Sequence, residues 1–146
     1  MKITSRPKTF WIPLILLFGF FIQMNTSSCD FGPPEGSRAK QAERGKLIFE
    51  KQCKGCHGMN GEAGTIDTLE TKAKDLTRIN KSRKITTFPV ERIARYIDGR
   101  NLVKAHGPRE MPVWGEVYKQ EGLNETEIKG RKGELIAYLM SIQNYE

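Results

Sequence analysis

Two thiols and an imidazole lie close together in the stretch Cys53-Lys54-Gly55-Cys56-His57. On one helical turn, thiols three positions apart can add to the two vinyl groups of a porphyrin, and each addition forms a thioether bond. The imidazole of the next residue then points at the iron from the same side. This spacing predicts one haem c that is covalently attached through Cys53 and Cys56, with His57 as an axial ligand.

Two other kinds of site also use a Cys-x-x-Cys pair. A thioredoxin-like dithiol requires a surrounding βαβ unit, and the sequence shows little of the alternation that predicts strands. A zinc site requires a second pair of Cys or His ligands, and the chain has three cysteines without a second pair. Haem attachment is therefore favoured over both, provided that the chain is exported to a compartment where free thiols oxidise.

The N-terminal segment predicts export. Three basic residues precede an apolar run over residues 10–24, and small polar residues follow it, which is typical of a signal peptide over residues 1–28. The apolar run is shorter than the roughly 20 residues of a membrane-spanning helix, and Pro13 and Gly19 interrupt it. An uncleaved anchor is the alternative. Either form predicts a protein in the periplasm or on the outer side of the cytoplasmic membrane.

Cys29 follows Ser27 and Ser28 directly after this segment. The arrangement resembles the cleavage site of bacterial lipoproteins, in which the cysteine becomes the acylated N-terminus, although Thr26 stands where a large aliphatic residue is usual. Residues 29–38 are rich in Gly and Pro and predict a flexible, lipid-anchored tether. The alternative is ordinary cleavage nearby, which would remove Cys29 or leave its thiol free.

The remaining chain, residues 39–146, is the length of one small domain. The formal charge of the whole chain is +7, and from residue 29 onward 21 Lys and Arg face 17 Asp and Glu, which leaves +4. This mild basic excess suits docking to an acidic protein surface. It does not favour nucleic-acid binding, which needs many clustered phosphate contacts.

Periodicity predicts an all-α fold with long loops. Apolar residues at helical spacing indicate one helix over about 39–52 and a second from near Pro89 to Asp98, where Gly99 ends it. A third follows Asn124, which forms a capping box with Glu127, although two glycines weaken its first turns. The loops left over, about 58–88 and 100–123, are long for so small a domain and need a further body to pack against.

These residues together resemble the class I c-type cytochromes, and in particular bacterial mono-haem members, over about residues 39–144. Gly45 to Phe49 resembles the family's N-terminal helix and Glu134 to Leu139 its C-terminal helix. The resemblance implies a small fold of about three to five helices around one covalently bound haem. It also implies that the two terminal helices cross closely at Gly45, with Phe49 packed on Leu135 and Tyr138.

The segment from Arg109 to Gly115 resembles the loop that carries the sixth iron ligand, which makes Met111 the predicted second axial ligand. Pro112 restrains the backbone beside it. Met59, Met140 and His106 are the rivals, of which His106 is the most serious. Many members of the family orient the proximal histidine with a proline carbonyl, but no proline occurs between His57 and Pro89, so another carbonyl within residues 58–76 must accept the Nδ1 proton.

The function that follows is that of a non-enzymatic electron carrier, which passes single electrons between membrane respiratory partners. The alternatives are a haem subunit of one dehydrogenase or oxidase complex, and a haem protein that binds small ligands. Lys54 is a candidate for partner docking. The residues expected to wall the haem are Phe49, Trp114 and Tyr138, and the candidate propionate partners are Arg95, Arg100 and Arg109.

Overall fold

The structure, a computed structural model, describes residues 32–62, 72–101 and 110–145. The predicted signal peptide, Cys29, His106 and Arg109 lie outside these residues. The described residues form six helices and no strand: α1 Arg38–Gln52, α2 Lys54–His57, α3 Ile79–Arg83, α4 Val90–Asp98, α5 Trp114–Gln120 and α6 Glu125–Ser141.

The all-α prediction is confirmed, and the three predicted longer helices are α1, α4 and α6. Two short helices, α3 and α5, lie inside the stretches predicted as loops, and α2 is one turn at the haem motif. Among the described helices, none is both long enough and apolar enough to span a membrane.

Helix α1 begins one residue before the predicted position because Ser37 caps it. The Ser37 hydroxyl accepts a hydrogen bond from the backbone N–H of Lys40 at 3.1 Å. The Ser37 backbone N–H itself donates to the carbonyl of Pro34, and Glu35 pairs with Arg44 at 3.0 Å. The last residues of the predicted tether thus form a turn and an ion pair at the start of α1.

Helix α6 has the capping box that the sequence predicted. The Asn124 side chain accepts hydrogen bonds from the backbone N–H groups of Thr126 and Glu127 at 2.9 and 3.1 Å. The Glu127 carboxylate in return accepts the Asn124 backbone N–H at 2.8 Å. Because the first turn is satisfied in this way, the helix begins at Glu125 despite its two internal glycines.

The crossing of α1 and α6 is confirmed as a close backbone approach. A side chain at Gly45 would overlap the backbone carbonyl of Glu134, so only glycine fits there. Beside this point the rings of Phe49 and Tyr138 pack with centroids 5.1 Å apart. Phe49 is completely buried and belongs with Leu135 to the apolar core between the two helices.

Helix α4 packs its apolar face against the core. Pro89 is its N-cap, and Gly99 ends it with a left-handed φ of 75°. Ile93 and Ile97 lie one turn apart on its buried face, and α4 packs against α6. The core cluster consists of Phe49, Cys53, Ile79, Phe88, Ile93, Ile97, Leu135, Ile136, Tyr138 and Leu139.

Candidate functional site

The haem motif is positioned by the end of α1. Cys53 is both the C-cap of α1 and the N-cap of α2, and its backbone N–H donates to the Phe49 carbonyl. The backbone N–H groups of Cys56 and His57 both donate to the Cys53 carbonyl, at 3.1 and 2.9 Å. One helical turn therefore brings the two thiols and the imidazole together, as the spacing predicted.

The two thiols differ in their surroundings. Cys53 is buried in the core cluster, Cys56 is half-buried, and neither forms a disulfide. Burial, together with the nearby Cys56, raises the pKa of the Cys53 thiol to about 12. A thiolate at Cys53 is therefore strongly disfavoured in the protein alone, whereas a redox dithiol relies on a lowered thiol pKa.

The carbonyl that orients His57 is that of Lys74, at 3.1 Å from Nδ1. A carbonyl can only accept, so Nδ1 carries the proton and Nε2 keeps its lone pair for a metal ion. Burial lowers the pKa of His57, and the Lys74 hydrogen bond offsets part of that effect. The prediction of a carbonyl within residues 58–76 is confirmed, and it is provided by a lysine where the resembling family often has proline.

The Lys74 carbonyl is held in place by its neighbours. The Leu76 backbone N–H donates to the Gly61 carbonyl at 2.7 Å, and the Leu76 carbonyl accepts from the Gln143 side chain at 2.7 Å. Asp75 accepts the backbone N–H and the hydroxyl of Thr77 at 2.8 and 2.6 Å. The segment that carries the Lys74 carbonyl is thus anchored to Gly61, which follows α2, and to Gln143, which follows α6.

Met111 lies in the turn before α5, half-buried, and packs against the core cluster that contains Cys53. Of its rivals, Met59 is 72% exposed and Met140 packs on the same cluster from α6. His106 lies outside the described residues. The structure thus places Met111 and Cys53 at one core and leaves Met59 at the surface.

A charged cluster fixes the start of α5, close to Met111. Arg100 donates to both carboxylate oxygens of the buried Asp98, at 2.7 and 3.0 Å, and Lys132 also pairs with Asp98. These two cations hold the pKa of Asp98 well below its ordinary value. Gly115 lies directly against Asp98 and Arg100, and a Cβ at this position would collide with both side chains.

This cluster alters the interpretation of one candidate propionate partner. Besides Asp98, the Arg100 guanidinium pairs with Glu125 at 2.6 Å, so it is engaged by two carboxylates of the chain itself. Arg95 is exposed on α4, and Arg109 lies outside the described residues. Within the described residues, Arg100 therefore has one N–H donor left for the carboxylate edge of a haem.

Helix α5 also contacts the last residue of α1, directly before the haem motif. Tyr118 is completely buried, and its hydroxyl donates to the side chain of Gln52, the residue before Cys53, at 2.6 Å. The rings of Trp114 and Tyr118 lie 6.0 Å apart. Tyr118 was not among the predicted site residues, although Trp114 and Tyr118 at positions i and i+4 are a weak sign of a helix face.

The described residues fit a haem in two respects. The cluster around Cys53 is apolar, and its partly buried members include Met111 and Trp114, as a porphyrin ring requires. Among the described residues, the buried side chain of Asn80 has no hydrogen-bond partner for either its nitrogen or its oxygen. A buried amide without a partner is costly, and a cofactor with carboxylate groups can supply one. Among the same residues, no group of three or more Cys, His, Asp and Glu is arranged to hold a metal ion.

Comparison with known families gives one match. Residues 40–126 match the family model described as cytochrome C oxidase, cbb3-type, subunit III. The matched region covers more than half of the chain and includes Cys53, Cys56, His57 and Met111. Searches of curated proteins and of solved structures found no significant match.

Proposed function

This chain belongs to the family of cytochrome c oxidase, cbb3-type, subunit III, and is therefore a c-type cytochrome. We propose that it carries single electrons through one haem, which is attached at Cys53 and Cys56 and ligated by His57 and Met111. The observation that best supports the proposal is the hydrogen bond from His57 Nδ1 to the Lys74 carbonyl. It leaves Nε2 as the only nitrogen of His57 able to bind iron, and it fixes the orientation of the ring.

When bound, the haem supplies an iron that can be oxidised and reduced by one electron. Each protein ligand then has its own part. The thioether bonds of Cys53 and Cys56 hold the porphyrin edge at the end of α1. His57 gives a neutral imidazole, and the Lys74 carbonyl makes it a stronger donor. Met111 gives a thioether, a poor donor to ferric iron, which favours the reduced state and raises the reduction potential.

The apolar residues around the site exclude water. Phe49 and Tyr138 are buried beside Cys53, and Trp114 packs on the same cluster from α5. A dry environment disfavours the more highly charged oxidised centre and keeps small molecules away from the iron. Two protein ligands with no open position suit electron transfer better than the binding of small molecules.

Attachment is tested on the purified holoprotein by denaturation in acidified organic solvent. The haem should stay with the protein, and the pyridine haemochrome spectrum should show both vinyl groups converted to thioethers. Cys56→Ser should leave at most one thioether bond and a low yield of folded protein. Free extraction of the haem from the wild type would contradict the proposal.

The sixth ligand is tested with Met111→Ala. The weak sulfur-to-iron charge-transfer band of the ferric form should vanish, the potential should fall, and the ferrous form should bind CO. Met59→Ala, an exposed position, is the matched control and should leave all three unchanged. If the band instead depends on Met140, or if the wild type lacks the band, as ligation by His106 would require, the ligation must be reassigned. Ready CO binding by the wild type would favour a small-ligand-binding protein.

We also propose an acidic redox partner, on the basis of where the charges lie. Eight Lys and Arg face two Asp and Glu over residues 72–95. An open groove of about 600 Å³ in this region is lined by Arg83, Lys84 and Arg92 and by no acidic residue. Lys54 is also exposed, beside the thiols. Arginine side chains at such a surface suit carboxylates through paired hydrogen bonds.

The test of this surface is the ionic-strength dependence of electron transfer with the native membrane fraction. Arg83→Ala with Arg92→Ala should slow the reaction at low salt and flatten its salt dependence. Arg38→Ala with Lys129→Ala, which removes two exposed cations from α1 and α6, is the control. If both pairs of substitutions have equal effects, the groove is not a specific docking site, and only the net charge of the protein matters.

The proposed location is the periplasm or the outer side of the cytoplasmic membrane, with residues 1–28 removed as a signal peptide and Cys29 acylated. The apolar run followed by Cys29 and a Gly- and Pro-rich segment supports this arrangement. In detergent partitioning, the wild type should enter the detergent phase, and Cys29→Ser should not acquire lipid. An intact mass that retains Met1 would indicate an uncleaved anchor instead.

A second function is favoured by the description of the matched family, which names a subunit of an oxidase. In that case the same haem would serve one enzyme complex and not a mobile carrier. Mild solubilisation followed by native electrophoresis distinguishes the two. A carrier should migrate alone, whereas a subunit should migrate with an oxidase and its haem.

A further inference from the structure

Asn80, the second residue of α3, is buried without satisfying its side chain. Only 4% of the residue is exposed, and neither Nδ2 nor Oδ1 has a hydrogen-bond partner. An amide that is buried without partners destabilises a fold, because its hydrogen bonds to water are lost and not replaced. Such a group calls for a partner that residues 32–62, 72–101 and 110–145 do not supply.

The backbone around Asn80 is well fixed, so the side chain cannot simply turn outward with a frayed helix. Its N–H donates to Gln143 at 3.4 Å, and its carbonyl accepts from the N–H of Ile85 at 3.1 Å. Lys84 follows α3 in a left-handed conformation, with φ of 53°, and its N–H also donates to the Asn80 carbonyl. Both the N–H and the carbonyl of Asn80 are therefore hydrogen-bonded, and the backbone of α3 is fixed at this residue.

The neighbouring polar side chain offers Asn80 no hydrogen-bond donor. Gln143 Nε2 donates to the carbonyls of Leu76 and Leu139, both at 2.7 Å. Gln143 Oε1 accepts from the Asn80 backbone. Both donor positions of the Gln143 amide are thus used, and the Asn80 side chain stays unpaired beside it.

We propose that the Asn80 side chain binds a propionate carboxylate of the haem, with Nδ2 as the donor. The proposal rests on the proposed function, because it requires the covalent haem at Cys53 and Cys56. Asn80 lies next to Ile79, which belongs to the core cluster of Cys53, and a carboxylate is the acceptor that a haem offers at its rim. Arg100 is less available for this role, since four of its five N–H donors already bind Asp98 and Glu125.

A donor at a buried carboxylate stabilises its ionised form and therefore lowers its pKa. A propionate that loses this donor takes up a proton at higher pH. The charge of the propionate acts on the nearby iron, so the reduction potential of the holoprotein should change with pH around the propionate pKa. The position of that step reports on Asn80 without any measurement of electron-transfer activity.

The experiment is a pH titration of the reduction potential for the full-length holoprotein and its Asn80→Leu variant. We expect the step to move upward by about one pH unit, which is a tenfold change in proton affinity. Asn80→Ala removes the same donors with a smaller side chain, and it tests the contact if the leucine variant does not fold. Ser82→Ala, on the same helix, removes a hydroxyl that bonds to the Ile79 carbonyl and should leave the step unmoved.

Redox-difference infrared spectra with carbon-13 in the propionate carboxyls provide the direct readout. The carboxylate bands should shift in Asn80→Leu and stay in place in Ser82→Ala. If both Asn80 variants keep the wild-type step and bands, a buried water satisfies Asn80 and the inference is wrong. If the wild type has no covalent haem or no methionine charge-transfer band, the proposed function is wrong. Failure of the proposed function can thus be distinguished from failure of the inference about Asn80.

Discussion

Two regions of this small domain are held together by different forces. At the crossing of α1 and α6, glycine allows the backbones to touch, and Phe49 packs on Tyr138 in an apolar core. At the start of α5, close to Met111, the buried carboxylate of Asp98 binds Arg100 and Lys132. Gly115 lies against the Asp98 and Arg100 side chains. The first region depends on shape, and the second depends on ionised groups. We therefore expect the Met111 side of the domain to loosen under conditions that leave the crossing intact.

The largest effect should come from breaking the crossing. Gly45→Ala places a methyl group on the backbone of Glu134, which neither helix can avoid without moving apart. We expect a loss of about 3 kcal/mol in the free energy of unfolding, a large part of the total for such a domain. Urea denaturation followed by circular dichroism measures it.

Gly133→Ala is the matched control for this substitution. A Cβ at Gly133 meets no atom within 4 Å, and the residue lies inside α6. Alanine there should stabilise the protein by about 0.5–1 kcal/mol. Equal losses at both positions would mean that the crossing is not the sensitive point.

The next effect should come from Asp98→Asn, which leaves Arg100 and Lys132 without their shared carboxylate. We expect a loss of about 2–3 kcal/mol, because the remaining charges are poorly exposed to water. The methionine charge-transfer band should disappear at a lower urea concentration than the helical signal. Glu121→Gln breaks the more exposed pair with Arg131 and should cost no more than about 1 kcal/mol. Simultaneous loss of band and helix in Asp98→Asn would show that the two regions respond as one.

A pH titration sharpens the comparison without any substitution. The pKa of Asp98 lies below its ordinary value in the folded protein, so the stabilisation it provides is present above about pH 4 and is lost as the pH falls below that. In acid, the charge-transfer band should fade before the far-ultraviolet helical signal. In Asp98→Asn this separate loss should be absent, and a band that fades at the same pH in both proteins would point to another group.

The smallest effect is expected at the contact between α5 and α1. Tyr118→Phe removes the hydroxyl that donates to Gln52, and we expect a loss of about 1 kcal/mol. Burial raises the pKa of Tyr118 to about 12, so the contact should be insensitive to pH up to about 10. CO binding to the ferrous form should become measurably faster if α5 steadies Met111. Tyr145→Phe, at an exposed position, is the control.

Local sequence predicted the elements whose stability is local. The capping box of Asn124 and Glu127 and the end of α4 before Gly99 are each encoded within a few residues, and the sequence predicted both. The same holds for the Cys53 to His57 motif, because one helical turn sets its geometry. The close approach at Gly45 was also foreseen, although from the family resemblance and not from spacing.

The tertiary structure decided the rest. Helices α3 and α5 have five and seven residues, too short to be stable alone, so they form only where distant residues hold them. Gln143 binds Leu76 across 67 positions of the chain, and Tyr118 binds Gln52 across 66. Such pairings between distant residues decide three features of the site. The Lys74 carbonyl binds His57, Asp98 and Glu125 bind Arg100, and the Asn80 side chain is left without a partner among the described residues. Sequence by itself determined which groups this chain brings to a haem, and only the fold decided which of them remain available, because hydrogen bonds between distant segments are settled by packing and not by spacing.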